Sequence, residues 1–263
     1  MKMRAIMRRV GAALVAASLA AGAWAQAPEK KKITIAVGGK SLFYYLPLTV
    51  AERKGYFKDE GLEVEIPDFA GGARALQALV GGSADMVSGA YEHTINMAAK
   101  KQPIKAVVLQ AKYSSIALVM SKEKAARYHG GKDLKGMKDI YGGDYHASVI
   151  YITEEFIRKN PDTVQAVVNA MVRADQWIAK ATPQQIVDLM PAEYKAGNPS
   201  LYKEALLKNM IGFSETGEMS MKAAENVYKV LAKFEPSVMA AGKIDLQSTF
   251  DNSFVKKANA KYK

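Results

Sequence analysis

The chain has 263 residues, 49% of them hydrophobic, no cysteine, and 37 Lys and Arg against 26 Asp and Glu, a net charge of +11. That is the composition of an ordinary globular protein with enough chain for a sizeable core, and without cysteine it must be held by packing alone. The lysines are scattered and form no basic stripe with interleaved aromatics, which argues against a nucleic-acid surface and leaves a solvated surface with a mild bias toward anions.

Residues 1–25 read as an export signal. Lys2, Arg4, Arg8 and Arg9 form a positive start, residues 10–23 are apolar and small, and Ala23-Trp24-Ala25 fits small-x-small cleavage before Gln26. The apolar run is shorter than the ~20 residues a membrane span needs, and with no cysteine near the cut the chain is not a lipoprotein. Removing 25 residues from 263 leaves 238, and removing four basic and no acidic residues lowers the net charge from +11 to +7.

The pattern then alternates. Residues 32–38 read as a strand ending in Gly38-Gly39, and 40–45 as a loop. Pro47 suits the first turn of a helix that runs to Gly55. Gly55 and Gly61 read as stops in the left-handed region, and Leu62, Val64 and Ile66 alternate with Glu63 and Glu65 as in a half-buried strand over 62–69. A helix over 73–80 places Leu76, Leu79 and Val80 inward, and 84–88 is a third strand. Residues 91–101 form a helix, and 104–109 a continuous apolar strand of the kind found in sheets buried on both faces. This is an α/β chain with a mostly parallel sheet. Further strands are expected at 116–121 and 148–152. Thr153 suits a helix cap, and the helix from Pro161 carries Val164, Val167, Val168, Met171, Val172 and Ile178 on one face. Thr182 and Gln185 spell a capping box before a helical C-terminal part.

Ligands of open α/β sheets bind at the carboxyl ends of the strands. Here those ends read GGKSLFYY, FAGGA and SGAYEH, rich in glycine, small hydroxyls and tyrosine. Glycine admits a ligand to the backbone, helix N-termini offer N–H groups, and tyrosine offers a flat face with a polar tip. Three such loops at one edge point to a binding cleft.

The motifs GYFKDEGLEVEI, ADMVSGAYEHTI, KAVVLQAKY, KDLKGMK and TEEFIRKNPDTVQAVVNAMVRADQWI, in that order behind an export signal, resemble the periplasmic solute-binding proteins of ABC importers for nitrate, sulfonate and taurine, and for thiamine-pyrimidine precursors. The resemblance covers nearly all of the exported chain. It implies a two-lobed Venus-flytrap fold of the type II class, a monomer that closes by a hinge around a small solute and docks on an inner-membrane permease, with no cofactor and no metal. Carried over by position, it implies ligand contacts from Lys40, Ser41, Tyr44, Tyr45, Gly71, Gly72, Ser88, Ala90, Tyr91, Glu92 and Tyr113.

One departure is large. In the family the segment matching DLKGMK leads into several further βαβ units, whereas here Lys138 is followed at once by Asp139-Ile140-Tyr141-Gly142-Gly143. A βαβ unit takes ~30 residues, so losing about two accounts for a deficit on the order of 60–80 residues. The division expected is a leader (1–25), a first α/β lobe (26–121), a remnant of the second lobe with a junction near 138–139 (122–147), and a return strand with C-terminal helices (148–263). A truncated allele, an assembly error and a natural one-lobe variant all fit this junction.

An enzyme is the rival class. His93, His129 and His146 are the only histidines, without metal-ligand spacing, and there is no cysteine for zinc and no G-x-S-x-G elbow. Synthases of the pyrimidine precursor share the fold and carry a cysteine-rich motif that this chain lacks. Glu92 reads either as a helix-start acid favoured by the dipole or as a ligand contact. In the cleft it would disfavour a bare anion and favour an amine or N–H donor, as in taurine, another aminosulfonate or an aminopyrimidine.

Overall fold

The computed structural model describes residues 27–113 and 144–262. The leader, the strand expected at 116–121 and the junction near 138–139 lie outside them. In chain order the elements begin with β1 (Lys32–Ala36), a 3-10 turn (Phe43–Tyr45), α1 (Leu46–Arg53), α2 (Tyr56–Asp59) and β2 (Glu63–Glu65). Then come α3 (Gly72–Val80), β3 (Met86–Ala90), α4 (Glu92–Ala99), β4 (Ile104–Ala111) and β5 (Ser148–Thr153). The rest is helical: α5 (Glu154–Lys159), α6 (Pro161–Lys180), α7 (Pro183–Leu189), α8 (Pro199–Asn209), α9 (Met221–Phe234), α10 (Pro236–Ala241) and α11 (Ser253–Lys261).

The five strands form one sheet in the order β2-β1-β3-β5-β4. β1 pairs in parallel with β2 and β3, but β5 lies antiparallel between β3 and β4, with Ser88 opposite Ile150 and Leu109 opposite Val149. The expected mostly parallel sheet is therefore corrected to a mixed one. The apolar run of β4 is explained by cover on both faces, a property that parallel and well-packed antiparallel strands share.

Helices sandwich the sheet. One face packs on α1, α2, α6 and α11, the other on α3, α4, α9 and α10. α6 is the main pillar. Val164, Val167, Val168, Met171, Val172 and Ile178 are all buried, each contributing about 1.5–3 kcal/mol relative to exposure. Its approach is set by caps: Thr153 Oγ1 accepts from Phe156 N–H to start α5, and the Thr182–Gln185 capping box forms in both directions at α7. Gly55 and Gly61 take φ of 75° and 78°, as expected of the stops around α2. Val80 points outward instead of inward; the core face of α3 is Ala75, Ala78 and Leu79.

The C-terminal part also covers the free edge of β4. Leu109 N–H donates to Gly217 O, Ser214 N–H to Gln110 O and Lys112 N–H to Gly212 O, and Asp251 N–H donates to Ala106 O. A bare β4 would be an aggregation edge. Among the described residues no helix is long and apolar enough to cross a membrane.

Candidate functional site

The carboxyl ends of β1, β2 and β3 and the start of β5 share one rim, because β5 runs antiparallel and pairs Ser148 with Ala90 and Ala111. The first two corners are pressed together. Val37 N–H donates to Pro67 O, and Phe69 N–H to Val37 O. A Cβ on Gly38 would lie 2.3 Å from Gly71 C and 2.4 Å from Gly72 N, so only glycine allows this approach. The Asp68 carboxylate then accepts from the Gly39 and Lys40 amides at 2.6 and 3.0 Å. Gly71 takes φ 98° at the start of α3.

The third corner joins the other two by separate links. Ala147 O accepts both the Tyr44 hydroxyl (2.5 Å) and Tyr91 N–H (3.0 Å), tying the first corner to the third and to the return strand. His93, at the second position of α4, lies against Gly72, where a Cβ would sit 3.3 Å from Cε1. Its Nδ1 shares a hydrogen bond of 2.8 Å with the Tyr151 hydroxyl. Burial holds the imidazole at a pKa of about 4, so it is neutral at pH 7. Its Nε2 has no hydrogen-bond partner among the described residues.

The chain leaves and re-enters the lobe at the same rim. The Tyr113 hydroxyl donates to Asp144 Oδ1 at 2.8 Å, and Tyr145 N–H donates to Lys112 O. Burial and the Asp144 carboxylate push the Tyr113 phenol up to about 12.

The eleven residues expected at the site fall into two sets. Lys40, Ser41, Tyr44, Gly71, Gly72, Ala90, Glu92 and Tyr113 stand at the rim with some exposure. Lys40 Nζ is held by Glu52 at 3.0 Å, so its charge is already paired. Glu92 is half-buried and has no hydrogen-bond or ion-pair partner among the described residues; burial, aided by Glu235, raises its carboxyl pKa. Tyr45, Ser88 and Tyr91 lie in the core. Ser88 faces Gln110 across β5, with Gln110 Nε2 donating to Ser88 Oγ at 2.9 Å. The Tyr91 hydroxyl pairs with Thr249 Oγ1, and its ring meets His146 edge to face.

Asp68, His93 and Ala147 are the rim residues that sequence reasoning did not single out. His93 was weighed as a metal ligand, although its place beside Glu92 in the third corner was the available signal. Among the described residues no group of three or more His, Cys, Asp or Glu is arranged to hold a metal. Chemically, the rim offers backbone at glycines, tyrosine faces, a neutral imidazole and an unpaired acid, with no unpaired cation from the residues expected there.

Comparison with known proteins agrees with this geometry. Residues 43–143 match the family described as NMT1/THI5 like. A solved structure from Bordetella bronchiseptica RB50 is 36% identical, with 90% of this chain and 99% of that one covered at a TM-score of 0.85. The aliphatic sulphonate binding protein SsuA from Escherichia coli is 15% identical, with 84% and 92% covered at a TM-score of 0.54, which shows the fold alone. The 4-amino-5-hydroxymethyl-2-methylpyrimidine phosphate synthase THI11 of Saccharomyces cerevisiae is 26% identical over 116 residues, 43% of this chain and 33% of that protein. The chain spans between 22% and 33% of the length of the curated relatives it matches. With the mixed sheet and its three joined corners in place, the chain has the periplasmic binding protein fold, and its residues 43–143 are similar to the NMT1/THI5-like family.

Proposed function

We propose that the chain is the solute-capturing component of an ABC importer. It is exported by cleavage between Ala25 and Gln26, works in the periplasm as a monomer, and presents its solute to an inner-membrane permease. The observation that carries this reading is the convergence of the three glycine- and tyrosine-rich corners on one rim, where Gly38 is wedged against Gly71 and Gly72 and the Ala147 carbonyl joins Tyr44 to Tyr91. The solute contacts are Lys40, Ser41, Tyr44, Gly71, Gly72, Ala90, Glu92 and Tyr113, joined by His93, with Tyr45, Ser88 and Tyr91 shaping the seat from behind.

The solute is a small organic molecule with an N–H donor at one end. Glu92 has no cationic partner among the described residues and is half-buried, so a ligand ammonium is its natural partner, whereas bare nitrate would meet a like charge. An aminosulfonate such as taurine fits both the acid and the neutral His93. A second reading, a thiamine-pyrimidine precursor, is supported by the match to the yeast synthase and by the flat faces of Tyr44 and Tyr113. Binding without catalysis is the reading for either ligand, since the chain lacks the cysteines of the synthases.

The short connection across 138–139 removes most of the opposing lobe. Ligand burial roughly halves, where small-molecule sites usually bury about 70–90% of a ligand. Affinity is therefore weak. Calorimetry on residues 26–263 with taurine, an alkanesulfonate, nitrate and an aminopyrimidine tests this. Dissociation constants far above micromolar are expected. Micromolar binding would overturn the expected weak affinity, and no heat from any solute at millimolar concentration would favour a non-transporting one-lobe remnant.

A further inference from the structure

Asp175, in the middle of α6, is fully buried, and neither carboxyl oxygen has a hydrogen-bond partner among the described residues. A Cβ placed on Gly217 would sit 2.8 Å from Val108 Cγ2, 3.3 Å from Val172 Cγ2 and 3.5 Å from Asp175 Oδ2. The carboxyl is thus packed where α6, β4 and the segment 212–217 meet. That segment is the cover of β4: Gly212 O, Gly217 O and Ser214 N–H make the hydrogen bonds to Lys112, Leu109 and Gln110, and Ser214 Oγ holds Gly217 N–H at 2.9 Å.

An ionised carboxylate in such a place needs a countercharge or several donors, and among the described residues none is present. On α6 itself, Arg173 is taken by Asp59 at 2.7 Å and by Glu60. Just after α1, Lys54 lies over the Trp177 ring, and on α11, Lys261 is taken by Glu60. Glu52 of α1 pairs with Lys40, and Lys105 of β4 with Glu154. Glu215 of the covering segment and Glu218 just after it are exposed. No charged neighbour contributes to the shift at Asp175; burial alone raises its carboxyl pKa well above the ordinary aspartate value.

We infer that Asp175 is a buried proton switch: neutral, it lets the segment 212–217 seal the edge of β4; ionised, it forces that segment away. α6 is a 20-residue helix packed along its length, whereas the segment is a loop, so the loop is the part that yields to admit water. The seal lies at the end of β4 where the chain leaves the lobe at Tyr113, so its release loosens one side of the rim.

Amide hydrogen exchange of Leu109, Lys112 and Ser214, followed upward from the ordinary aspartate range of about pH 4, in the exported chain and in Asp175→Asn, tests this. In the wild type, protection at these three amides should fall about tenfold per pH unit beyond the ordinary base-catalysed rise at pH above the ordinary aspartate value of about 3.9, for as long as the sealed carboxyl stays protonated while the opened one ionises, while Asp175→Asn follows the ordinary rise. Asp175→Leu, which needs no hydrogen bond, should show the same flat profile and stands in if the asparagine variant does not fold. A wild-type profile with only the ordinary rise would overturn the switch, whatever the variants do. Parallel excess slopes in wild type and either folded variant would overturn it equally.

Discussion

His93 and Tyr151 share a partly buried hydrogen bond of 2.8 Å between Nδ1 and the phenol oxygen, and this bond fixes which imidazole edge meets the rim. Tyr151 is fully buried on β5, so the return strand, far away in sequence, positions a histidine of the third corner. Tyr151→Phe should therefore cost about 1–3 kcal/mol by leaving a buried polar atom unpaired, and it should weaken solute binding with no residue of the rim changed. Chemical denaturation and titration of the same variant read both effects; loss of stability with unaltered binding would place His93 outside the seat.

Acid should unfold the protein in a defined window. Burial lowers His93 to about 4 and His146 to about 3. A histidine whose folded pKa is depressed stabilises the fold fully above the unfolded value of about 6.5 and loses that contribution as pH falls toward the folded value. For His93 alone the loss between pH 6.5 and 4 is about 3 kcal/mol, order of magnitude. His93→Gln should flatten the slope of stability against pH in that window; an unchanged slope would mean the imidazole is solvated.

Glu92 should sort ligands by their amines. Glu92→Gln is expected to weaken an amine-bearing solute about tenfold, or ~1.4 kcal/mol, and to leave an amine-free sulfonate unchanged or slightly tighter. Equal effects on both would remove Glu92 from the contacts.

The glycines of the rim should not be equivalent. Gly38→Ala drives a Cβ into the backbone of Gly71 and Gly72, with nothing flexible to yield, and should cost about 3 kcal/mol or more. Gly71→Ala meets no atom within 4 Å but must hold φ 98°, a cost of about 1–3 kcal/mol. Thermal unfolding of the two variants should show the larger drop for Gly38→Ala.

These contrasts mark what the sequence can and cannot carry. The face of α6, the stops at Gly55 and Gly61 and the Thr182–Gln185 box depend on spacing within a few residues, and all three form as read. The direction of β5 does not: an apolar run such as SVIYIT is equally a parallel or an antiparallel strand, and only its tertiary place between β3 and β4 decides. Val80 was read inward because leucine and valine outrank alanine in a periodicity count, yet the tight packing of α3 on the sheet uses Ala75 and Ala78. At the site, the corners were legible from their composition. The depth of each residue was not, because Ser88 is buried by Gln110, a partner 22 residues away, and Tyr91 by Thr249, 158 residues away.

The most direct test of the solute seat is amide chemical-shift mapping on residues 26–263 during titration with taurine and an alkanesulfonate. The account predicts shifts gathered at Gly39, Gly71, Gly72, Glu92 and His93, still unsaturated at micromolar solute. Shifts gathered elsewhere, with those five amides unmoved, would contradict it.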